Sequence, residues 1–85
     1  MKRVQVLGAG CPQCAKLWEN AQKAVDTVRA ADAQIDIQVE NVSDMDVITE
    51  FGVIATPALV VDGQVQSVGR VLTAEEIRQL LLVGS

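Results

Sequence analysis

A long amphipathic helical pattern lies between two short β-rich segments of this chain and limits the folds that it can adopt. The first segment, RVQVL at residues 3–7, is typical of a short buried strand. The second, QIDIQVENV at residues 34–42, alternates aliphatic and polar residues, as a half-buried strand does. Two strands joined by a helix are expected to run parallel, with a right-handed crossover.

The intervening helix is predicted to begin at Pro12, because proline at the first helical position sacrifices no hydrogen bond. Apolar residues then recur at spacings of three and four, and this pattern predicts one buried face: Cys14, Trp18, Ala21, Val25 and Val28. Charged residues fall on the opposite face: Lys16, Glu19, Lys23, Asp26 and Arg29. We expect the helix to end near Asp32.

The second half of the chain predicts a short helix followed by a hairpin. Ser43, followed three residues later by Asp46, suits the start of a helix over DMDVITEF, and Gly52 would end it. The segment ALVVDGQVQSV, residues 58–68, has two β-rich runs around Asp-Gly, which is a strong hairpin signal.

A capping pattern marks the last helix. Thr73 and Glu76 have the spacing of a capping box, and Leu72 and Ile77 have that of a hydrophobic staple. The helix would run through AEEIRQLLL, residues 74–82. The complete order is βαβαββα, which predicts an α/β fold with a four-stranded mixed sheet flanked by helices on both faces.

Size and charge exclude several classes of function. The 85 residues suit a single domain, residues 1–85, and only 2 % of them are aromatic, so the core must be aliphatic. A net charge of −4 argues against nucleic acid and anionic membranes as partners. There is no histidine, which excludes histidine-based metal sites and catalytic triads. No apolar run is long enough to span a membrane, and the short apolar stretch after Lys2-Arg3 reads as a strand rather than a secretion signal, so we expect a cytoplasmic protein.

The chain's two cysteines, Cys11 and Cys14, flank the start of the first helix. The thiolate is the form that attacks disulfides, and the unpaired N–H groups of a helix N-terminus favour a negative charge. We therefore expect Cys11 to have a lowered pKa and to act as the nucleophile. Cys14, one turn into the helix on its apolar face, would be the more buried, resolving thiol. At this spacing the two sulfurs can close a small ring.

The same two thiols suggest a non-catalytic alternative. Thiolates suit Zn²⁺ or Cu⁺, so CPQC could belong to a metal-binding or carrier module. A closed zinc site requires four ligands, and this chain supplies only two thiols and no histidine. No metal site is therefore predicted, although a site shared by two chains or a linear Cu⁺ site stays open as the alternative.

A second motif lies later in the chain, where Thr56-Pro57 directly precedes the third β-rich segment. A CPQC at a helix start, a Thr-Pro before a strand and this order of elements together resemble the thioredoxin superfamily, over nearly the whole chain. The resemblance is closest to small thioredoxin-like and glutaredoxin-like proteins. It implies that Pro57 is cis and packs against a Cys11–Cys14 disulfide, and that the Thr56 backbone pairs with the substrate.

Departures from the family patterns bear on the substrate. Glutaredoxins carry a tyrosine within the motif and a Gly-Gly and acidic pair before the last helix. Here there is no tyrosine, and that region is SVGRVLTAEE, which disfavours glutathione as a ligand. Thioredoxins carry a tryptophan before the first cysteine and a buried aspartate in the preceding strand, and both are missing here.

The sequence thus predicts a thiol–disulfide oxidoreductase that needs no bound cofactor. Cys11 and Cys14 would be catalytic, and Thr56 and Pro57 would bind substrate. The expected partners are disulfide-containing proteins, or small-molecule disulfides, together with a reductase or a low-molecular-weight thiol as electron donor. We expect the protein to act as a monomer.

Overall fold

A computed structural model describes residues 2–8 and 12–83 of the chain, with Val83 described by its backbone alone. The elements follow in the order β1 (Lys2–Leu7), α1 (Pro12–Ala31), β2 (Ile37–Val42), α2 (Met45–Glu50), β3 (Ala58–Val61), β4 (Gln64–Val68) and α3 (Ala74–Val83). This is the predicted βαβαββα order. No helix in these two ranges is both long enough and apolar enough to cross a membrane.

The four strands form one mixed sheet in the spatial order β2-β1-β3-β4. β1 is parallel to β2 and β3 is antiparallel to β4, both as predicted, and β3 is also antiparallel to β1. Leu7, the last residue of β1, lies opposite Ala58, the first residue of β3. The register therefore brings the chain leaving β1 next to the chain entering β3, where Thr56 and Pro57 lie.

The two faces of the sheet are covered by two separate clusters, because successive residues of a strand point to opposite sides. The larger cluster, here called the α1–α3 core, comprises Val4, Val6, Leu17, Ala21, Ala24, Val25, Val28, Ile37, Leu59, Val61, Leu72, Ile77 and Leu81. The smaller cluster, the α2 core, comprises Leu7, Ile48, Val53, Ala58 and Val60. Helices thus lie on both faces of the sheet, as predicted.

The buried face of α1 is broader than its predicted one. Leu17 and Ala24 are buried in addition to most of the predicted residues, while Trp18 is half-buried and packs against the edge of the α1–α3 core. A tryptophan side chain is too large to be covered completely by one helix face, whereas leucine and alanine fit between neighbouring helices. All five charged residues predicted on the outer face are exposed.

Two boundaries differ from their predicted positions. β2 begins at Ile37 rather than residue 34, because Asp32 accepts hydrogen bonds from the backbone N–H groups of Gln34 and Ile35 and holds them in a turn. The N-cap of α2 is Asp44 rather than Ser43, since its carboxylate accepts a 2.9 Å hydrogen bond from the N–H of Asp46. Either residue type is a good N-cap, so composition alone did not distinguish them.

The hairpin and the start of α3 match their predicted patterns. Asp62 and Gly63 have φ values of 52° and 81°, and two positive φ values are typical of the tight turns that join antiparallel strands. Thr73 and Glu76 exchange two hydrogen bonds of 3.1 and 3.2 Å, which form the predicted capping box. The amide of Asn20 donates to the carbonyl of Leu72 at 2.9 Å and so ties α1 to the segment leading into α3.

Candidate functional site

Cys14 lies in the first turn of α1, and its side chain is only 2 % exposed. Its sulfur is in the disulfide-bonded state. Cys14 is thus buried, as its place on the apolar helix face predicted, and its resolving role stays a prediction. Cys11 lies outside the described residues, so its pairing with Cys14 stays a prediction.

The Thr56–Pro57 peptide bond is cis, as the resemblance implies. The ring of Pro57 is buried, whereas Thr56 is exposed. The Pro57 carbonyl accepts a 2.8 Å hydrogen bond from the N–H of Gly69, which fastens this loop to the end of β4. Thr56 is therefore presented to solvent on an anchored loop at the start of β3.

Cys14 and Thr56 approach each other beside Gly8, at the position that a Cβ atom would occupy there. A Cβ atom built at Gly8 would stand 2.9 Å from the Cys14 Sγ atom and 2.9 Å from the Thr56 Cβ atom. Those two atoms are therefore separated by no more than twice that distance. The first turn of α1, which carries Cys14, thus meets the Thr-Pro loop where β1 ends. The two segments are about forty residues apart in sequence.

Among the helices of the described residues, α1 has the least compensated N-terminus. Its first turn contains no acidic residue, whereas α2 has Asp46 and α3 has Glu75 and Glu76 in that position. Acidic side chains in the first turn offset the positive end of a helix dipole. The positive end of α1 therefore remains available to a negative charge next to it.

Within residues 2–8 and 12–83, no polar or charged residue is classed as buried. This agrees with the absence from β1 of the buried aspartate that thioredoxins carry. Lys16, two residues beyond Cys14, is exposed.

The loop before Pro57 carries an apolar residue that sequence reasoning missed. Ile54 is 99 % exposed, the highest value among the exposed large hydrophobic residues described. The neighbouring Ala55 is also exposed, and a Cβ atom built at Gly69 would lie 3.7 Å from its Cβ atom. The only signal in the sequence was an isoleucine without a periodic partner, which could equally have been a core residue.

The described residues do not contain an evident metal centre. In the part of the chain that the structure describes, no three His, Cys, Asp or Glu residues lie close enough together to hold a metal ion. A shallow groove between β4 and α3 contains none of the predicted site residues, and its walls are formed by Gln66, Leu72, Glu76, Gln79 and Leu80.

The chain is similar to known proteins over the same residues that form the fold. Residues 2–82 match the family model of a thioredoxin domain. The chain is 40 % identical over 81 residues to a thioredoxin of Methanothermobacter thermautotrophicus, covering 95 % of this chain and 99 % of that protein. It is 32 % identical over 78 residues to a thioredoxin of Methanocaldococcus jannaschii, covering 92 % of this chain and 84 % of that protein. These similarities indicate a thioredoxin-like redox function.

Proposed function

The chain belongs to the thioredoxin family, and we propose that it reduces disulfides of other proteins through Cys11 and Cys14. The observation that carries the proposal is the position of Cys14, buried in the first turn of α1 beside the exposed Thr56. A cysteine held there can resolve a mixed disulfide formed with a substrate that lies against the Thr-Pro loop.

In the first step, the Cys11 thiolate attacks one sulfur of the substrate disulfide. A bond forms between Cys11 and that sulfur, the substrate disulfide breaks, and the other substrate sulfur leaves as a thiolate. Cys11 directly precedes α1 in the sequence, and the first turn of α1 carries no acidic residue. We expect this uncompensated helix end to favour the thiolate of Cys11 over the thiol.

In the second step, the thiol of Cys14 loses its proton and attacks the sulfur of Cys11. The Cys11–Cys14 disulfide forms, the mixed disulfide breaks, and the substrate sulfur that was bonded to Cys11 leaves as a thiolate. The substrate gains two electrons and the cysteine pair loses two, with protons exchanged through solvent. The reduced pair is then regenerated by a reductase or a low-molecular-weight thiol.

A protein substrate is favoured over a small disulfide by the surface beside the site. Ile54 projects into solvent two residues before Thr56, and both belong to the same anchored loop. Burying a whole isoleucine side chain contributes about 1.5–3 kcal/mol, so a partner large enough to cover Ile54 gains affinity that a small disulfide does not. Glutathione is disfavoured as a ligand, because the chain lacks the tyrosine and the Gly-Gly and acidic pair of glutaredoxins.

The proposal is tested with Cys11→Ser and Cys14→Ser variants of the reduced protein, given a protein disulfide in excess. Cys11→Ser should abolish reduction of the substrate. Cys14→Ser should instead accumulate a mixed disulfide through Cys11, visible by mass spectrometry of the intact protein. Full activity of Cys11→Ser would show that the proposal is wrong, and metal retained at one ion per two chains would favour the carrier function.

A further inference from the structure

We propose that Gly8 is a positioning residue for the resolving step, and this inference rests on the proposed function above. The absence of a side chain at Gly8 allows the sulfur of Cys14 to lie next to Thr56. Any larger residue at position 8 would separate the resolving thiol from the loop that is expected to hold the substrate.

The space beside Gly8 is too small for even one methyl group. The Cβ atom of an alanine would lie 2.9 Å from Cys14 Sγ, 2.9 Å from Thr56 Cβ and 3.3 Å from Thr56 Cγ2. Folded proteins are packed as densely as organic crystals, so such an overlap forces the neighbouring atoms to move. Neither close neighbour is the far end of a long side chain, because each is bonded within one or two bonds to the backbone.

The backbone at Gly8 is itself held in place. Its N–H donates a 2.9 Å hydrogen bond to the carbonyl of Val42, and it follows Leu7, which is fully buried in the α2 core. Gly8 is buried and has a φ of +127°, a conformation that residues with a side chain rarely adopt. Because residue 8 cannot easily retreat, the displacement would fall largely on Cys14 and Thr56.

The consequence is specific to one step of the exchange. Attack of Cys14 on Cys11 requires the two sulfurs to meet in a defined geometry while the substrate sulfur leaves, and a displacement of about 1 Å can cost as much as 100-fold in rate. The earlier attack of Cys11 on the substrate does not use the Cys14 sulfur. A side chain at position 8 should therefore slow resolution while leaving the first attack largely unchanged.

The experiment compares Gly8→Ala with wild type in a rapid-quench assay of one turnover with a protein disulfide. We expect Gly8→Ala to resolve the mixed disulfide at least about tenfold more slowly, so that this intermediate accumulates. The alkylation rate of Cys11 in the reduced variant, measured by mass spectrometry, should stay within about twofold of wild type.

Gly63→Ala is the matched control for backbone strain. Gly63 also has a positive φ, of 81°, but no heavy atom lies within 4 Å of the Cβ position there. An alanine would therefore be strained at both position 8 and position 63. Only at position 8 would its Cβ atom overlap with neighbouring atoms. Gly63→Ala should resolve the mixed disulfide as wild type does, and equal slowing in both variants would overturn the inference.

A second pair of variants isolates the contact and does not depend on the folding of Gly8→Ala alone. Thr56→Gly removes the Cβ atom that an alanine at position 8 would meet. We expect Gly8→Ala/Thr56→Gly to resolve faster than Gly8→Ala but more slowly than Thr56→Gly, since the contact with Cys14 remains. If Gly8→Ala does not fold, the comparison of Gly8→Ala/Thr56→Gly with Thr56→Gly tests the inference. Equal rates of resolution in these two variants would overturn it. The Cys11→Ser variant tests only the proposed function, through the loss of attack on the substrate disulfide. It does not test the role of Gly8.

Discussion

The two faces of the sheet differ in how much apolar structure covers them. On one face, α1 and α3 cover a cluster of thirteen buried residues and pack against each other. On the other face, α2 has only six residues, and its cluster has five buried members. Where α2 does not reach, the strands carry polar groups, including Gln5, whose amide donates to the carboxylate of Glu40 at 2.8 Å.

The two layers therefore have different roles at the site: one supports it, and the other carries the surface that we expect a substrate to contact. Cys14 belongs to α1 and is therefore held by the thicker layer. The loop with Ile54 and Thr56 follows the end of the α2 core at Val53, so it is held by the thinner layer and by the bond between Pro57 and Gly69. We infer that α1 supplies most of the rigidity of the site, while the α2 side supplies its exposed contact surface.

The largest expected effect is that of shortening Leu17, which is fully buried in the α1–α3 core. Leu17→Ala should lower the free energy of unfolding by about 2–5 kcal/mol, because a cavity remains between closely packed elements. Urea denaturation of the oxidised protein measures this change. A loss of less than about 1 kcal/mol would contradict the view that this face dominates stability.

The corresponding change on the other face is Ile48→Ala, where the side chain is 1 % exposed within the α2 core. We expect a loss near the lower limit for such a substitution, about 2 kcal/mol, because a six-residue helix can shift to close part of the cavity. The same urea titration provides the comparison with Leu17→Ala. Equal losses in the two variants would remove the proposed difference between the faces.

The order of elements was predictable because each segment carried its own local signal. The capping box at Thr73 and the Asp62-Gly63 turn depend on residues close together in sequence, and both were predicted correctly. Helical periodicity located the buried face of α1 but not its width, so Leu17 was missed. Width depends on what packs against the helix, and for α1 that includes α3, more than forty residues later.

The site was predictable only in part, for a similar reason. The sequence indicated Cys14 and Thr56 separately, one from its place on a helix and the other from a resemblance. Their common neighbour, Gly8, had no signal beyond that of a residue that ends a strand. Its importance comes from two side chains brought to it by the sheet register, and such contacts between distant residues cannot be read from a local pattern.

A substitution of Ile54 tests whether the loop on the α2 side contacts a protein substrate, and its expected effect is intermediate in size. Ile54→Ser should leave stability nearly unchanged, because the side chain is 99 % exposed. If a protein substrate covers about half of this side chain, the loss is about 1 kcal/mol, or about fivefold in KM. Steady-state reduction of a protein disulfide and of a small aromatic disulfide separates the two substrate classes.

Leu82→Ser is the control for Ile54, since Leu82 is 57 % exposed near the last turn of α3, outside the candidate site. It should not change KM for either substrate. An equal change in KM for the protein and the small disulfide in Ile54→Ser would argue against a role in protein recognition.

The smallest expected effect lies on the exposed side of α3 and concerns pH. The Arg78 Nε atom donates to Glu75 Oε2 at 2.9 Å, and this hydrogen bond, more than the charge attraction, lowers the pKa of Glu75 below its ordinary value of 4.5. A carboxyl whose pKa is lowered on folding stabilises the protein above the pKa of the unfolded chain, and that contribution is lost as pH falls through the folded pKa. Arg78→Gln should thus be slightly less stable than wild type near neutral pH, and the difference should disappear in more acidic solution. Urea titrations of both proteins from neutral pH to about pH 3 measure the difference, and one that persists unchanged in acid would mean that Arg78 acts through packing of its stem rather than through Glu75.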